Sequence, residues 1–317
     1  MKKISIVVPI YNEEANIEYF SNSITQVMSK LSYDWELIFV DDGSKDATPM
    51  LIHQLSLRDC RIKGFQLSRN YGHMAALSCG LDNAQGDAVI SMDGDMQHPP
   101  EMLPQLLELW EQGYEVVQTL RKSTEGVSLF KKVTSAFFYK LINSMSKVQI
   151  AEGGSDFRLL DRKAVLAFRK FREESRFIRG MISALGYKKI TVDFVASPRF
   201  AGKSKYSLGK MMHFALDGIT AFSKTPLRLV FYFGLLCGLL SVFLIAHVFY
   251  VVYFTNSAAP GWASMTASIA FVGGIQMMGL GVIGEYIGRI FEEVKHRPIY
   301  LISEEIGEFN PLHNHNQ

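Results

Sequence analysis

The sequence predicts an α/β protein, a parallel sheet flanked by helices, joined to a pair of C-terminal membrane-spanning helices. Short apolar, β-branched runs alternate with helix-patterned segments from residue 4 to residue 119, the pattern of a parallel sheet with right-handed crossovers. Polar clusters recur at the carboxyl ends of those runs, where such sheets bind ligands. Residues 229–254 and 262–284 contain no Asp, Glu, Lys or Arg. Each is long enough to cross a hydrocarbon core of about 30 Å as a helix.

Taken in order, Ile4-Ser-Ile-Val-Val-Pro-Ile10 leaves no room for polar alternation, as in a strand buried on both faces. It ends in Tyr11-Asn-Glu-Glu14, whose carboxylates favour the start of a helix over about 15–30. Residues 35–42 form a second strand, followed by a helix near 47–57. Residues 62–67 form a third strand, and a helix then runs to about residue 83. Ala88-Val-Ile-Ser-Met92 is a fourth strand and stops at Asp93-Gly-Asp95. Pro99 and Pro100 suit the first turn of a helix to about residue 112, because a missing N–H costs little there. Residues 115–119 make a fifth strand.

Beyond this point the pattern changes. Leu129, Val133, Phe137, Leu141 and Met145 recur at helical spacing between lysines. That describes either a core-facing helix with a solvated basic face or a helix lying against anionic lipid. Residues 207–225 read the same way and lead into the first span. Lys210, Lys224 and Arg228 precede that span, and Arg289, Lys295 and Arg297 follow the second. The connecting segment from Thr255 to Gly261 has no Lys or Arg. The positive-inside rule therefore puts both termini in the cytoplasm. The expected boundaries are a catalytic region 1–225 that includes the interface helices, a two-helix membrane region 226–288 and a tail 289–317.

Composition excludes several classes. A net charge of +2 over 317 residues does not describe a nucleic-acid binder. Cys60, Cys79 and Cys237 are few and scattered, so no disulfide or metal framework follows from them. Met1-Lys-Lys3 runs directly into a strand rather than a signal-peptide core. Gly279-Leu-Gly-Val-Ile-Gly284 fits a dinucleotide fingerprint in letters only, since no strand precedes it. With Gly234 and Gly238 it reads better as close helix packing in lipid.

The chemistry concentrates at the strand ends. Asp93 and Asp95, one residue apart in an extended segment, would point the same way. Two hard oxygens there suit a divalent cation that takes its other ligands from substrate phosphates. Asp41 and Asp42 can accept from a base N–H or a ribose hydroxyl, or simply form an Asp-Gly turn with Gly43. Arg69 can fork onto a diphosphate. Ala151-Glu-Gly-Gly-Ser-Asp-Phe-Arg158 reads as a glycine-led loop, with Asp156 lining a site and Arg158 orienting it. Arg199, Lys203 and Lys205 around Gly202 form a candidate clamp for a lipid phosphate.

Together, Val8-Pro-Ile-Tyr-Asn-Glu13, Val40-Asp-Asp-Gly-Ser44, Arg69-Asn-Tyr-Gly72, Met92-Asp-Gly-Asp-Met-Gln-His-Pro-Pro100, Ser155-Asp-Phe-Arg-Leu159 and Gly202-Lys-Ser-Lys-Tyr206 resemble family 2 glycosyltransferases of the polyprenyl-phosphate branch. That branch includes dolichol-phosphate mannose synthases and bactoprenol glucosyltransferases. The tail Gly281-Val-Ile-Gly-Glu-Tyr-Ile-Gly-Arg-Ile290 looks most like the latter.

The resemblance implies a GT-A fold, a nucleotide-sugar donor, Mg²⁺ or Mn²⁺, and inversion at the anomeric carbon. It places Pro9, Tyr11, Glu13, Asp41, Arg69 and Asp93 at the nucleotide sugar, and Asp93, Asp95 and Gln97 at the metal. Arg121, Arg199, Ser204 and Lys205 would meet the acceptor phosphate, with Asp95, Asp156 and Arg121 closest to the chemistry. His73 receives no firm role. The expected reaction moves glucose from UDP-glucose to undecaprenyl phosphate in a bacterial plasma membrane, in a homo-oligomer such as a tetramer. The alternatives are UDP-N-acetylglucosamine, GDP-mannose or UDP-formamidoarabinose as donor, or a catalytically silent membrane scaffold.

Overall fold

Strand β1 (Lys3–Ile10) buries Ile6 and Val8 on one face and Val7 on the other. Helices must therefore cover both faces, and the following elements supply them. The computed structural model describes residues 1–122, 154–174, 176–195, 225–255 and 261–308. Strands β2 (Asp34–Asp41), β3 (Ile62–Leu67) and β4 (Ala88–Ser91) follow β1. β1 pairs in parallel with β2 and β4, and β2 in parallel with β3. The crossovers are α1 (Ile17–Met28), α2 (Thr48–Arg58) and α3 (His73–Asn83). α1 buries Ile17, Phe20, Ser21, Ile24 and Met28, a stripe at helical spacing that seats it on the sheet. A turn of 3-10 helix at Pro100–Met102 starts α4 (Leu103–Glu111), as expected of Pro at a helix start.

The second half corrects the sequence reading of an all-parallel sheet. β5 (Val116–Arg121) is not the neighbour of β4. β6 (Gly154–Asp161) lies between them and runs antiparallel to both. The expected glycine-led loop is thus a strand from Gly154 onward, because Phe157, Leu159 and Leu160 fill the two core layers. Asp161 then caps α5 (Arg162–Phe168), accepting from the Lys163 amide at 2.9 Å. After α6 (Ile178–Ala184), β7 (Lys189–Phe194) extends the sheet in parallel with β5. β8 (Ile302–Ile306) closes the other edge, antiparallel to β3. The order is β7-β5-β6-β4-β1-β2-β3-β8.

Between β7 and β8 stand α7 (Thr225–Thr255) and α8 (Trp262–Val294), of 31 and 33 residues. Phe231, Leu235, Leu239 and Phe243 on α7, and Ile269, Met277, Ile283 and Ile287 on α8, are exposed. Within α8, the segment Phe271–Val294 is long and apolar enough to cross a membrane. In α7 the corresponding apolar stretch among the described side chains, Val230–Leu240, is shorter. The segments 128–148 and 207–224, read as interface helices, lie outside the described residues.

At the end of the sheet away from the polar loops, Glu36 is the centre of a buried ionic cluster. It accepts from Ser5 Oγ at 2.6 Å and the Gln85 amide at 3.0 Å, and pairs with Lys3 at 2.8 Å and Lys63 at 3.2 Å. Burial raises its pKa, but the hydrogen bonds from Lys3, Ser5 and Gln85 outweigh burial and the net shift is downward. Glu36→Ala would remove the buried carboxylate that Ser5 Oγ, the Gln85 amide and Lys3 share. Thermal unfolding of the solubilised protein is expected to show a loss of roughly 3–5 kcal/mol. Because the folded pKa is lowered, this contribution is present above the ordinary carboxylate pKa and disappears as pH falls through the folded value.

Candidate active site

The loops after β1, β2, β3 and β4 meet at one end of the sheet. After Pro9, which is buried, Tyr11 is half-buried and Asn12 adopts φ +54°. The Asn12 amide donates to Ser44 Oγ at 2.8 Å, and its side-chain oxygen accepts from the Lys45 amide at 2.9 Å. The Glu13 amide donates to Thr48 Oγ1 at 3.0 Å, while its carboxylate accepts from Asn16 Nδ2. The β1 and β2 loops are therefore tied together by their own polar groups.

The two carboxylates after β2 have separate tasks. Asp41 is fully buried and accepts from the Ser44 amide at 3.1 and 3.2 Å. Burial raises its pKa against those hydrogen bonds. Asp42 accepts from the amides of Tyr71 at 2.7 Å and Gly72 at 2.9 Å, so it fixes the loop that follows β3. Burial raises its pKa too. Arg69 in that loop is exposed and lies over the Tyr71 ring, 4.2 Å from its centroid.

Gly43, at φ +71°, allows the approach, since a Cβ there would lie 2.6 Å from the Arg69 carbonyl carbon and 2.9 Å from the Asn70 nitrogen. Gly43→Ala combines a left-handed backbone with a clash against main chain. It is expected to destabilise the protein by roughly 1–3 kcal/mol, read as a lowered thermal midpoint.

Asp93, Gly94 and Asp95 lie beyond the end of β4 in a turn, not in an extended segment. The expected i, i+2 alignment does not apply; the turn shapes the pair instead. Met96 takes φ +61°, and Asp95 Oδ1 accepts from the Gln97 amide at 3.1 Å. Gly94 packs against the end of β1, where a Cβ would lie 2.6 Å from Ile10 Cγ2. Gln97 Oε1 accepts from Arg121 Nη1 at 3.4 Å, which brings the exposed Arg121 from the end of β5 to this turn.

His98 braces the turn from below. The Asp93 amide donates to His98 Nδ1 at 2.9 Å, so the ring proton resides on Nε2, which lies 2.8 Å from Ser155 Oγ. The ring is buried, stacks on Phe157 with centroids 5.1 Å apart, and meets the edge of Phe194. Burial lowers its pKa, opposed by Asp93.

β6 delivers Asp156 and Arg158. Arg158, a fully buried guanidinium, donates through Nη2 to Asp156 Oδ1 and to the Ser155 carbonyl at 2.9 Å. Arg179 on α6 grips the same carboxylate, Nη2 to Oδ2 at 2.9 Å and Nε to Oδ1 at 3.2 Å. Burial raises the pKa of Asp156, but Arg179 and Arg158 overcome that and hold it far below the usual carboxylate range. Burial also lowers Arg158, to about 10. His73 Nε2 stands 3.6 Å from Asp93 Oδ1 and 3.8 Å from Asp156 Oδ2, linking the two carboxylates.

The structure thus brings Asp93, Asp95, Gln97, Arg121 and Asp156 to one region, and Pro9, Tyr11, Glu13, Asp41 and Arg69 to adjoining strand ends. Arg199, Ser204 and Lys205 lie outside the described residues. Sequence reasoning missed His98 and Arg179. His98 stands inside the Met92-to-Pro100 motif and could have been flagged there, but no local pattern marks Arg179.

Comparison with known proteins adds to this geometry. The model of the family described as Glycosyl transferase family 2 matches residues 5–168. The bactoprenol glucosyl transferase of Shigella phage SfV is 40% identical over 303 residues, 96% of this chain and 99% of that one. An uncharacterized glycosyltransferase of Bacillus subtilis, YkcC, is 42% identical over 306 residues, 96% of this chain and 94% of that one. Among solved structures, S. aureus TarS in complex with UDP-GlcNAc is similar, with a TM-score of 0.47 and 19% identity over 69% of this chain and 66% of that one.

Proposed function

The chain belongs to glycosyltransferase family 2, and from that premise we propose that it transfers glucose from UDP-glucose to a polyprenyl phosphate at a membrane surface. One observation carries the reading: the likeness to bactoprenol glucosyl transferases spans almost the whole chain, α7 and α8 included. The acceptor would be undecaprenyl phosphate, the setting a bacterial plasma membrane, and the product a lipid-linked sugar for envelope glycans. On this reading residues 1–225 are the catalytic region with its interface helices, 226–288 cross the bilayer twice, and 289–317 return to the cytoplasm. The resemblance adds a homo-oligomer, such as a tetramer.

Strand pairing supports the two crossings. β8 follows both long helices yet hydrogen-bonds to β3 in the same sheet as β1. The chain must return to the side it left, which requires an even number of crossings. If Phe271–Val294 spans the bilayer, α7 would supply the second crossing. Exposed apolar side chains along both helices fit lipid.

Asp93, Asp95 and Gln97 would hold Mg²⁺ or Mn²⁺. Asp93 Oδ1 is shielded from solvent and has no hydrogen-bond partner among the described residues. An oxygen so placed, two residues from a second carboxylate at the end of the same strand, fits a hard cation. When bound, the ion would neutralise charge on the departing diphosphate as a Lewis acid.

The chain's own groups would do the rest. Arg69 would fork onto the donor diphosphate, and Pro9, Tyr11, Glu13 and Asp41 would line the nucleoside. Arg121, with Arg199, Ser204 and Lys205, would hold the acceptor phosphate. The attacking oxygen belongs to a phosphate monoester, already largely ionised at neutral pH because its second pKa is about 6. No strong base is needed, and Asp156, locked between two guanidiniums, would position neighbouring groups rather than take a proton. A single displacement on the face opposite the leaving group inverts the anomeric carbon.

A panel of radiolabelled UDP-glucose, UDP-N-acetylglucosamine, GDP-mannose and UDP-formamidoarabinose, each offered with a short polyprenyl phosphate, tests the donor. UDP-glucose is expected to give the highest kcat/KM. A preference for another sugar would move the assignment to that donor, and no transfer from any would favour a silent scaffold.

A further inference from the structure

The last strand arrives after both long helices, pairs with β3, and is preceded by a residue that reaches the loop following β3. β8 pairs with β3 from Gly64–Ile306 to Leu67–Ile302, with a register shift between Gln66 and Leu67. Beyond the last pair, the Ser68 amide donates to the Leu301 carbonyl at 2.9 Å, and Ser303 Oγ donates to the Gln66 carbonyl at 3.0 Å. The Tyr300 hydroxyl donates to Asp82 Oδ2 at 2.9 Å, anchoring the approach to α3. Ile306 is buried over Gly64, where a Cβ would lie 3.3 Å from Ile306 Cβ and 2.7 Å from Ile52 Cγ2. Gly64 therefore keeps the edge of β3 open for this strand.

β3 leads directly into Ser68-Arg69-Asn70-Tyr71-Gly72, the loop that carries Arg69 and ends at His73. Asp42 holds the far end of that loop through the amides of Tyr71 and Gly72. Leu301 holds its near end. The loop is thus gripped at both ends, once from β2 and once from a segment some 230 residues later in sequence.

We propose that β8, with Tyr300, Leu301 and Ile306, is a positioning element of the donor site. It sets the 68–72 loop, so the donor site is complete only once the chain has passed through α7 and α8 and returned. Edge pairing fits this task, because β3 without a partner presents a row of open backbone groups and its terminal loop loses the constraint on its first residue. The inference rests on the reading of the 68–72 loop as part of the donor site.

The test uses the full chain in detergent or nanodiscs, with Ile306→Asp to expel β8, Ile306→Val as the conservative control and Tyr300→Phe to remove the Asp82 bond alone. Amide hydrogen exchange is followed at residues 68–72 and, for comparison, in β1 and β4. Steady-state kinetics with UDP-glucose separates donor KM from kcat. In Ile306→Asp, exchange at 68–72 should rise roughly tenfold or more relative to β1 and β4. Donor KM should rise about tenfold with kcat and acceptor KM within about twofold of wild type. Tyr300→Phe should show a smaller change in the same direction, and Ile306→Val should behave as wild type.

Unchanged exchange at 68–72 in both Ile306→Asp and Tyr300→Phe would overturn the proposal. So would exchange that rises equally through β1 and β4, since β8 would then support the sheet and not the loop. If wild-type protein ignored UDP-glucose, the donor assignment would fail while the exchange comparison still decided the role of β8.

Discussion

Asp95→Asn and Asp93→Asn are each expected to reduce sugar transfer by on the order of 10³-fold. The size follows from what the turn after β4 supplies. A nucleoside diphosphate leaves with growing charge, and these two carboxylates with the Gln97 amide oxygen are the oxygen donors that would hold a neutralising cation against it. Replacing one carboxylate by an amide removes a full charge but little volume. The turn itself should persist, because the Asp93 amide still donates to His98 Nδ1, Asp95→Asn keeps an oxygen for the Gln97 amide, and Gly94 still meets Ile10. Loss of transfer with an unchanged thermal midpoint would therefore locate the defect in ion binding. Mn²⁺ titration followed by electron paramagnetic resonance reads that directly, and about a tenfold or greater loss of affinity is expected in either variant. Wild-type Mn²⁺ affinity in both variants would contradict the assignment of this turn.

Asp156→Ala is expected to destabilise the protein by roughly 3–5 kcal/mol. The cause is Arg158, whose guanidinium is 1% exposed and whose Nε and Nη1 have no partner among the described residues. Removing its counter-charge leaves a buried cation facing a second one, Arg179. The sign of the pH dependence follows from the same contacts. The folded pKa of Asp156 is lowered, so its stabilisation is complete above the ordinary carboxylate pKa of about 4 and is lost only as pH falls towards the folded value. A carboxylate held this low should leave no acid limb in kcat/KM near neutral pH. Asp156→Asn is accordingly expected to lose stability and substrate binding along with turnover. If that variant kept its thermal midpoint and bound both substrates, yet turned over nothing, Asp156 would be the base after all.

The first four strands and their crossovers were legible because each announces itself locally. β-Branched runs such as residues 4–10 end in polar clusters, and α1 shows its apolar stripe at helical spacing. Asp93-Gly-Asp95 was legible for the same reason, although a turn and not strand alternation shapes the pair. β6 was not, because a Gly-Gly approach and three charged residues, Asp156, Arg158 and Asp161, argue against a central strand. Arg158 is tolerated inside because Asp156 pairs with it, and Asp156 is held in turn by Arg179, which stands 23 residues from it in sequence. β8 was hidden more deeply. Ile302-Ser-Glu-Glu-Ile306 looks like a solvated tail, and its partner is β3, reached only across both long helices. Register between strands so distant is set by the assembled edge and not by local pattern. The candidate site was therefore readable where polar strand-end residues cluster in motifs, and unreadable where a buried charge or a distant strand packs behind them.

The most direct measurement is organic-extractable radioactivity from UDP-[¹⁴C]glucose incubated with the full chain, Mn²⁺ and either a short polyprenyl phosphate or the matching polyprenol. Label should enter the organic phase with the phosphate, remain aqueous with the alcohol, fall to background with EDTA and return on adding excess Mn²⁺. Equal labelling of the free alcohol, or transfer that survives complete chelation, would contradict metal-assisted attack by a lipid phosphate.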